Sequence, residues 1–331
     1  MSDLKQLPIL TYQPPDWPAI DVFWSQLHGK QWDDRARRRW HWLNARRTHF
    51  IVKANDRILG NATLLRQPFV TAAAESFELG WITEFYVSPE LKGQGMGKRL
   101  TTRLEESTAA AATLGQSEDA RQCFARLQWT APAWLPLLAV MFPGLRSAPR
   151  SALRMEQATF RHADIDDIWH RRGPRAVALG ARNAATLAQR FEGRPDAAYE
   201  IWLARNENDP VGYIVLRLIR GQRNRMFGWL PVGLIVDVLA VADDPAALAR
   251  MVRFGATRLG RKGALFALAV ETVGATGRAL RASGFAPALQ LGGLTLKTLP
   301  AKGLMLNAPG TARCGTCPHV TFLDCDAELT F

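Results

Sequence analysis

Glu84 stands three residues before the end of an apolar run, and that run delivers the chain into three closely spaced glycines, Gly93, Gly95 and Gly97. A carboxylate in that position can take a proton, and the loop beyond it can hold an anion. Residues 85–100 read as the end of a strand, a Ser88-Pro89 turn, the glycine loop and a helix beginning near Lys98. Glycines let backbone N–H groups approach a ligand closely, and a helix N-terminus favours negative charge. The guest that fits is a phosphate or pyrophosphate. Two familiar loops are excluded. A P-loop places four residues between its first glycine and Gly-Lys, then Ser or Thr. Here three residues separate Gly93 from Gly97, and Arg99 follows Lys98. The dinucleotide fingerprint G-x-G-x-x-G also fails, because this loop is G-x-G-x-G and no early strand–helix–strand unit leads into it.

The loop resembles motif A of the GNAT acyltransferases, where a strand ending in Val-x-Pro runs into Arg/Gln-x-x-Gly-x-Gly/Ala and then a helix. Lys92, Gly95 and Gly97 fall on the matching positions, with Lys92 replacing Arg or Gln. The resemblance implies a coenzyme A cofactor, acetyl-CoA first, and acyl transfer to an amine. It implies that Lys92, Gly93, Gln94, Gly95, Met96, Gly97 and Lys98 cradle the pyrophosphate. Backbone amides of Phe85, Tyr86 and Val87 would hold the pantetheine arm and the thioester carbonyl. Glu84 would be the general base, directly or through water. Its neighbours Trp81, Ile82, Phe85 and Tyr86 can desolvate a carboxylate and raise its pKa, and Trp81 is also a candidate for the acceptor pocket. Strand alternation puts Glu84 and Tyr86 on one face and Thr83 and Phe85 on the other. Many family members carry an acid tyrosine on a helix after the next strand. No tyrosine lies between 101 and 160 here, which leaves water or a group from the second half to protonate the thiolate. Cys123 reads as a buried structural thiol, and none of the six histidines, His49 among them, pairs with a Ser or Cys in a triad-like way.

These residues need elements to position them. In the first half the sequence predicts a helix from Asp16 through Leu27 and a second over 33–43. A hairpin follows (50–54 and 58–65), then a strand over 77–87. After the loop the expectation is a helix over 98–114 closed by Gly115, a strand over 123–127 and a short apolar helix over 135–142. The second half repeats the order. Residues 201–217 answer the first hairpin, and Gly233 to Ala240 answers Gly80 to Val87. The interval from glycine to acid is 24 residues for Gly60 to Glu84 and 25 for Gly212 to Asp237. A helix over 245–259, a strand over 264–270, a helix near 277–282 and Gly284-Phe285 complete the copy. Val241-Ala242-Asp243-Asp244-Pro245 stands where the glycine loop would be. Two aspartates at a helix N-terminus cap it well but repel an anion. The expected architecture is therefore α/β (α+β), with two tandem GNAT-like domains, each a central, mostly antiparallel mixed sheet flanked by helices. Residues 1–155 form the acyl-CoA-binding copy and 156–331 the degenerate copy with a C-terminal tail; the linker lies near 147–157. Asp237, the counterpart of Glu84, is a candidate for facing the acceptor between the domains.

Length and composition agree with two ordinary domains: 331 residues, 47% hydrophobic and 22% charged. The N-terminus lacks the apolar core of a signal peptide, and no apolar run reaches the roughly 18 residues of a membrane span, so the expected compartment is the cytoplasm. The net charge of +12 attracts anions. Its densest cluster, Arg35, Arg37, Arg38, Arg39, Arg46 and Arg47, is interleaved with Trp32, Trp40 and Trp42 at helical spacing. That reads as an amphipathic helix rather than a nucleic-acid interface. Cys314, Cys317 and His319, with Cys325, resemble half of a zinc site, but no second paired cluster exists, and no metal is expected. Tandem proteins of this layout occur in bacterial polysaccharide and thiol pathways, which points to an amino sugar or amino acid acceptor. A non-catalytic acyl-CoA-binding or partner-binding protein remains the alternative. The sequence does not specify the oligomeric state.

Overall fold

The computed structural model describes residues 6–28, 39, 42–43, 46–70, 76–129, 133–142, 153–172, 179–195, 197–220, 227–242, 244–270, 274–298 and 321. Its strands are β1 (Ile9–Thr11), β2 (Arg47–Ala54), β3 (Arg57–Val70), β4 (Ser76–Val87), β5 (Ala110–Thr113), β6 (Ala133–Met141), β7 (Leu153–Ala158), β8 (Leu179–Gly180), β9 (Tyr199–Asn206), β10 (Asp209–Ile219), β11 (Val232–Ala240), β12 (Phe266–Val270) and β13 (Ala286–Thr298). The helices are α1 (Trp17–His28), α2 (Met96–Glu105), α3 (Glu118–Arg126), α4 (Ala163–Arg172), α5 (Ala184–Phe191), α6 (Pro245–Arg261) and α7 (Ala275–Ala282).

The repeat read in the sequence is present in the fold. β1, α1, β2, β3, β4, α2, β5, α3 and β6 are answered by β7, α4 with α5, β9, β10, β11, α6, β12, α7 and β13. In each half three antiparallel pairings run outward to inward (β1-β2-β3-β4 and β7-β9-β10-β11), and one parallel pairing follows, β4 with β5 and β11 with β12. The closing strands then cross over. β6 lies antiparallel on β12 and β13 on β5, and β6 and β13 pair with each other. The two half-sheets are thereby joined through strands that each half lends to the other. Even the helix ends match: α3 closes with Trp129 N–H on Phe124 C=O and α7 with Phe285 N–H on Leu280 C=O, both at 3.1 Å. Gln128 and Gly284 take the left-handed conformation at these ends, φ 62° and 95°.

The core divides by sheet face. Phe50, Val52, Leu64 and Ile82 pack under Met96, Leu100 and Phe124 of α2 and α3. Ile214, Leu216 and Val238 pack under Leu248, Met251 and Leu280 of α6 and α7. A third cluster joins the halves, with Phe69, Trp81 and Leu79 against Leu187, Phe191, Tyr213, Leu234 and Leu268. A fourth seats α1 on β2 and β3 through Ile20, Phe23, Trp24, Ile51 and Ile58.

Three elements differ from the sequence expectation. The helix expected over 98–114 ends at Glu105, and 110–113 is β5. Ala110, Ala111 and Ala112 are good helix formers, yet all three are buried between β4 and β13, and that burial overrides their propensity. Ser107 and Thr108 help to end the helix by bonding nearby carbonyls, Arg103 C=O at 2.7 Å and Ala110 C=O at 2.9 Å. The strand expected over 123–127 is instead the end of α3. Ser117 caps that helix by accepting from Ala120 N–H, Glu118 and Asp119 occupy its first turn, and Ala120 and Phe124 are buried four residues apart. The apolar stretch 135–142 belongs to a strand, β6, not a helix; Pro136 in its middle removes the helical N–H it would have needed. Residues 153–157, expected in the linker, begin β7. The helix expected over 33–43 falls almost wholly outside the described residues.

Candidate functional site

Glu84 sits on a bulge. β3 and β4 pair as Ala62 with Phe85 and Leu64 with Ile82, so two β4 residues, Thr83 and Glu84, stand opposite the single residue Thr63. A bulge bends its strand and re-aims a side chain. β10 and β11 carry the same irregularity, Val215 opposite Asp237 and Leu216 opposite Ile235. Glu84 and Asp237 are therefore true counterparts in register. The partner of β4 on its other side, β5, ends early: pairing stops at Ile82 with Thr113. From Thr83 to Val87 no strand among the described residues covers that edge of β4. That unpaired, half-buried stretch of β4 runs on into the glycine loop.

The loop is shaped by its backbone. Gly93 and Gly95 have φ 75° and 80°, and a Cβ at either would meet nothing within 4 Å. Gly95 is the N-cap of α2, with no side-chain cap and no acidic residue in the first turn. The first N–H groups of a helix have no intrahelical acceptor, so this end presents donors and a positive dipole to open space. Met96, buried beneath, and Leu91 anchor the loop to the core. Gln94 is tied back by Nε2 to Glu90 C=O at 2.7 Å. Lys92 turns to α3, where Nζ meets Asp119 Oδ2 at 2.7 Å; that bond holds the lysine pKa up. Cys123 lies behind the loop, 3.5 Å from where a Gly97 Cβ would be, and burial pushes its thiol up. Lys98 lies in the first turn of α2, and Phe85 packs on Phe124 with ring centroids 5.6 Å apart.

Around Glu84 the structure assembles residues that the sequence did not single out. Thr63 Oγ1 donates to Glu84 Oε2 at 2.9 Å. The same Oγ1 is 2.8 Å from His49 Nδ1. A hydroxyl has one proton, so with that proton on Glu84 the histidine must donate from Nδ1. The result is a directed chain, His49 to Thr63 to Glu84, across adjacent strands. His49 stacks on Trp42 at 3.9 Å, and the Tyr12 ring meets both edge-on. Tyr12 is buried, and its hydroxyl has no hydrogen-bond partner among the described residues; burial first, then Asp16, raises its pKa. The cross-strand register of His49 with Thr63 carries this chain. Period-two alternation in β2 and β3 is a sequence signal for it, but only once the bulge opposite Thr63 is known.

Other expected residues lie elsewhere. Trp81 is buried in the inter-half core, its Nε1 on Gln67 Oε1 at 2.9 Å. Tyr86 lies two residues beyond Glu84 and packs on Phe23 of α1. Asp237 is 1% exposed, and both its oxygens are engaged: Oδ1 accepts from Arg182 Nε at 3.2 Å and Thr321 Oγ1 at 2.9 Å, and Oδ2 from Tyr213 OH at 2.8 Å. That is a closed core ion pair, not a group facing an acceptor. At the counterpart of the glycine loop, Asp244 caps α6 by accepting from Ala246 N–H, and Pro245 follows it; Asp243 lies outside the described residues. Cys314, Cys317, His319 and Cys325 also lie outside them. Among the described residues no three His, Cys, Asp or Glu side chains gather as metal ligands, and no helix is long and apolar enough to cross a membrane.

An unpaired β4 edge, a bulged acid and an uncapped helix N-terminus thus lie together in the first half. Residues 16–126 match the acetyltransferase (GNAT) family model, so this part of the chain is a GNAT domain. Solved structures agree over most of the chain. A GCN5-related N-acetyltransferase from Kribbella flavida superposes with TM-score 0.65 at 15% identity, over 89% of this chain and 73% of that one. A tandem GNAT protein from the clavulanic acid biosynthesis pathway gives 0.58 at 10% identity, over 88% and 98%. N-myristoyltransferase of Saccharomyces cerevisiae, with bound myristoyl-CoA, gives 0.60 at 11% identity, over 97% and 86%. No curated protein matches the chain in sequence. The chain thus has a tandem GNAT fold, and the family to which its first domain belongs uses acyl-CoA.

Proposed function

We propose that the protein is an acyl-CoA-dependent N-acyltransferase, using acetyl-CoA and acting in the cytoplasm on the amine of a small molecule such as an amino sugar or amino acid. The observation that carries this reading is Glu84 on the β4 bulge, at the head of an open strand edge that ends in an uncapped helix N-terminus. In this reading the pyrophosphate rests on the amides from Gly93 to Lys98, and the pantetheine arm extends along Phe85 to Val87. Glu84 takes a proton from the acceptor amine. The nitrogen lone pair attacks the thioester carbonyl carbon, the C–N bond forms, the C–S bond breaks, and the thiolate leaves with its electron pair. Thr63, held by His49, orients the carboxylate through its hydrogen bond to Oε2. The second copy, with Asp244 capping α6 and Asp237 in an ion pair, takes no cofactor and supports the first. Glu84→Gln keeps the shape and removes the base. With acetyl-CoA and a panel of primary amines, free CoA release should fall about 100-fold or more while acetyl-CoA affinity holds. Unchanged release in the variant would exclude Glu84 as the base.

A further inference from the structure

We propose that Asn61 contacts the acceptor beside Glu84, its carboxamide oxygen accepting from the amine that Glu84 deprotonates; the proposal rests on the transferase reading above. Asn61 is 0% exposed, and neither its Oδ1 nor its Nδ2 has a hydrogen-bond partner among the described residues. A buried carboxamide with every hydrogen-bonding position unmet is rare in a folded chain and asks for a reason.

Its place supplies one. Asn61 lies two residues before Thr63 on β3, on the same sheet face, and opposite Tyr86 on β4. It therefore occupies the rung next to Thr63 and Glu84, on the side toward the glycine loop. Glu84 and Tyr86 beside it are half-buried, the partly exposed residues nearest to it on β4. The second copy shows where a side chain from this position points. Tyr213 follows Gly212 as Asn61 follows Gly60, and it has the equivalent register, one rung from Val215 and Asp237. Its hydroxyl reaches Asp237 Oδ2 at 2.8 Å. In the second copy the phenol thus fills the distance from this β-strand position to the acid. In the first copy the asparagine at the equivalent position is shorter by an aromatic ring and makes no hydrogen bond to the acid. A substrate nitrogen between the two would give Oδ1 a donor and Glu84 a proton. The same substitution of Asn for Tyr would then separate a site open to an acceptor from one closed upon itself.

The test compares wild type with Asn61→Leu, which keeps the branched shape without the polar atoms, and Asn61→Ala, which guards against misfolding of the first. Three quantities are read: acetyl-CoA affinity by calorimetry, CoA release with a panel of primary amines including glucosamine and lysine, and the melting temperature. The expected result is unchanged acetyl-CoA affinity, an unchanged or raised melting temperature for Asn61→Leu, and a loss of about 10- to 100-fold in kcat/KM for the amine, the scale of one lost hydrogen bond at a site of proton transfer. Wild-type kcat/KM for the amine in both variants would overturn the proposal while leaving the transferase reading intact. A fall in melting temperature and acetyl-CoA affinity together would assign Asn61 to packing and overturn it as well. A wild-type protein that binds acetyl-CoA but releases no CoA with any amine would defeat the transferase reading and this inference with it.

Discussion

Asp237→Asn separates a structural second copy from a catalytic one. Asp237 and Arg182 are both fully buried at the side chain, and Arg182 Nε, Thr321 and Tyr213 all donate to the carboxylate. Changing the aspartate to asparagine preserves the shape but removes the negative charge that faces the buried Arg182 guanidinium. Removing one partner of a buried pair costs about 3–5 kcal/mol. For a chain of 331 residues the unfolding entropy is roughly 0.7 kcal/mol/K, so the melting temperature should fall by about 4–7 °C. Glu84→Gln is the control, because Glu84 is half-buried and a glutamine keeps an oxygen that can accept from Thr63; its stability should stay within about 1 kcal/mol. Thermal denaturation followed by circular dichroism reads both variants, with CoA release at 25 °C measured alongside. The expected pattern is opposite in the two: Asp237→Asn unstable but active, Glu84→Gln stable but inactive. An Asp237→Asn protein with wild-type melting and lost CoA release would refute the reasoning and place Asp237 at the acceptor.

Two further outcomes follow from the same contacts. Thr63→Val removes the hydroxyl that joins His49 to Glu84, and kcat should fall by about 10-fold or more with acetyl-CoA affinity unchanged, as steady-state kinetics and calorimetry would show. Asp244→Ala deletes the α6 cap and should cost about 1 kcal/mol of stability, seen in denaturant unfolding, without changing the number of acetyl-CoA molecules bound.

Much of the architecture was legible in the sequence because it rests on local signals. The hairpins and the β4 strand alternate or run apolar between turn residues, and the interval from glycine to acid recurs in both halves, 24 and 25 residues. The structure places matching bulges at Glu84 and Asp237, and the one-residue difference falls between the paired residues Leu64 and Ile82 and their counterparts Leu216 and Ile235. Where the reading slipped, long-range pairing had overruled local preference. Ala110 to Ala112 is a helix former buried as a strand, and the apolar run around Leu137 pairs with β12 and β13, elements that begin more than 120 residues later. No local signal announces that each half lends its last strand to the other. The same limit applies to the site. Gly93, Gly95 and Gly97 declare themselves by spacing, whereas His49 and Thr63 come together only through cross-strand register, and nothing local announces that Asp237, a candidate for facing the acceptor, is held by Arg182, 55 residues away.

Acetyl-CoA stoichiometry tests the central claim most directly. Isothermal titration of wild type should give one acetyl-CoA per chain. Gly95→Glu forces a side chain into a left-handed position at about 1–2 kcal/mol of strain and sets a negative charge where the pyrophosphate would lie, so it should bind none while remaining folded. Two molecules per chain, or wild-type affinity in Gly95→Glu, would contradict the assignment of the cofactor to the glycine loop of the first copy.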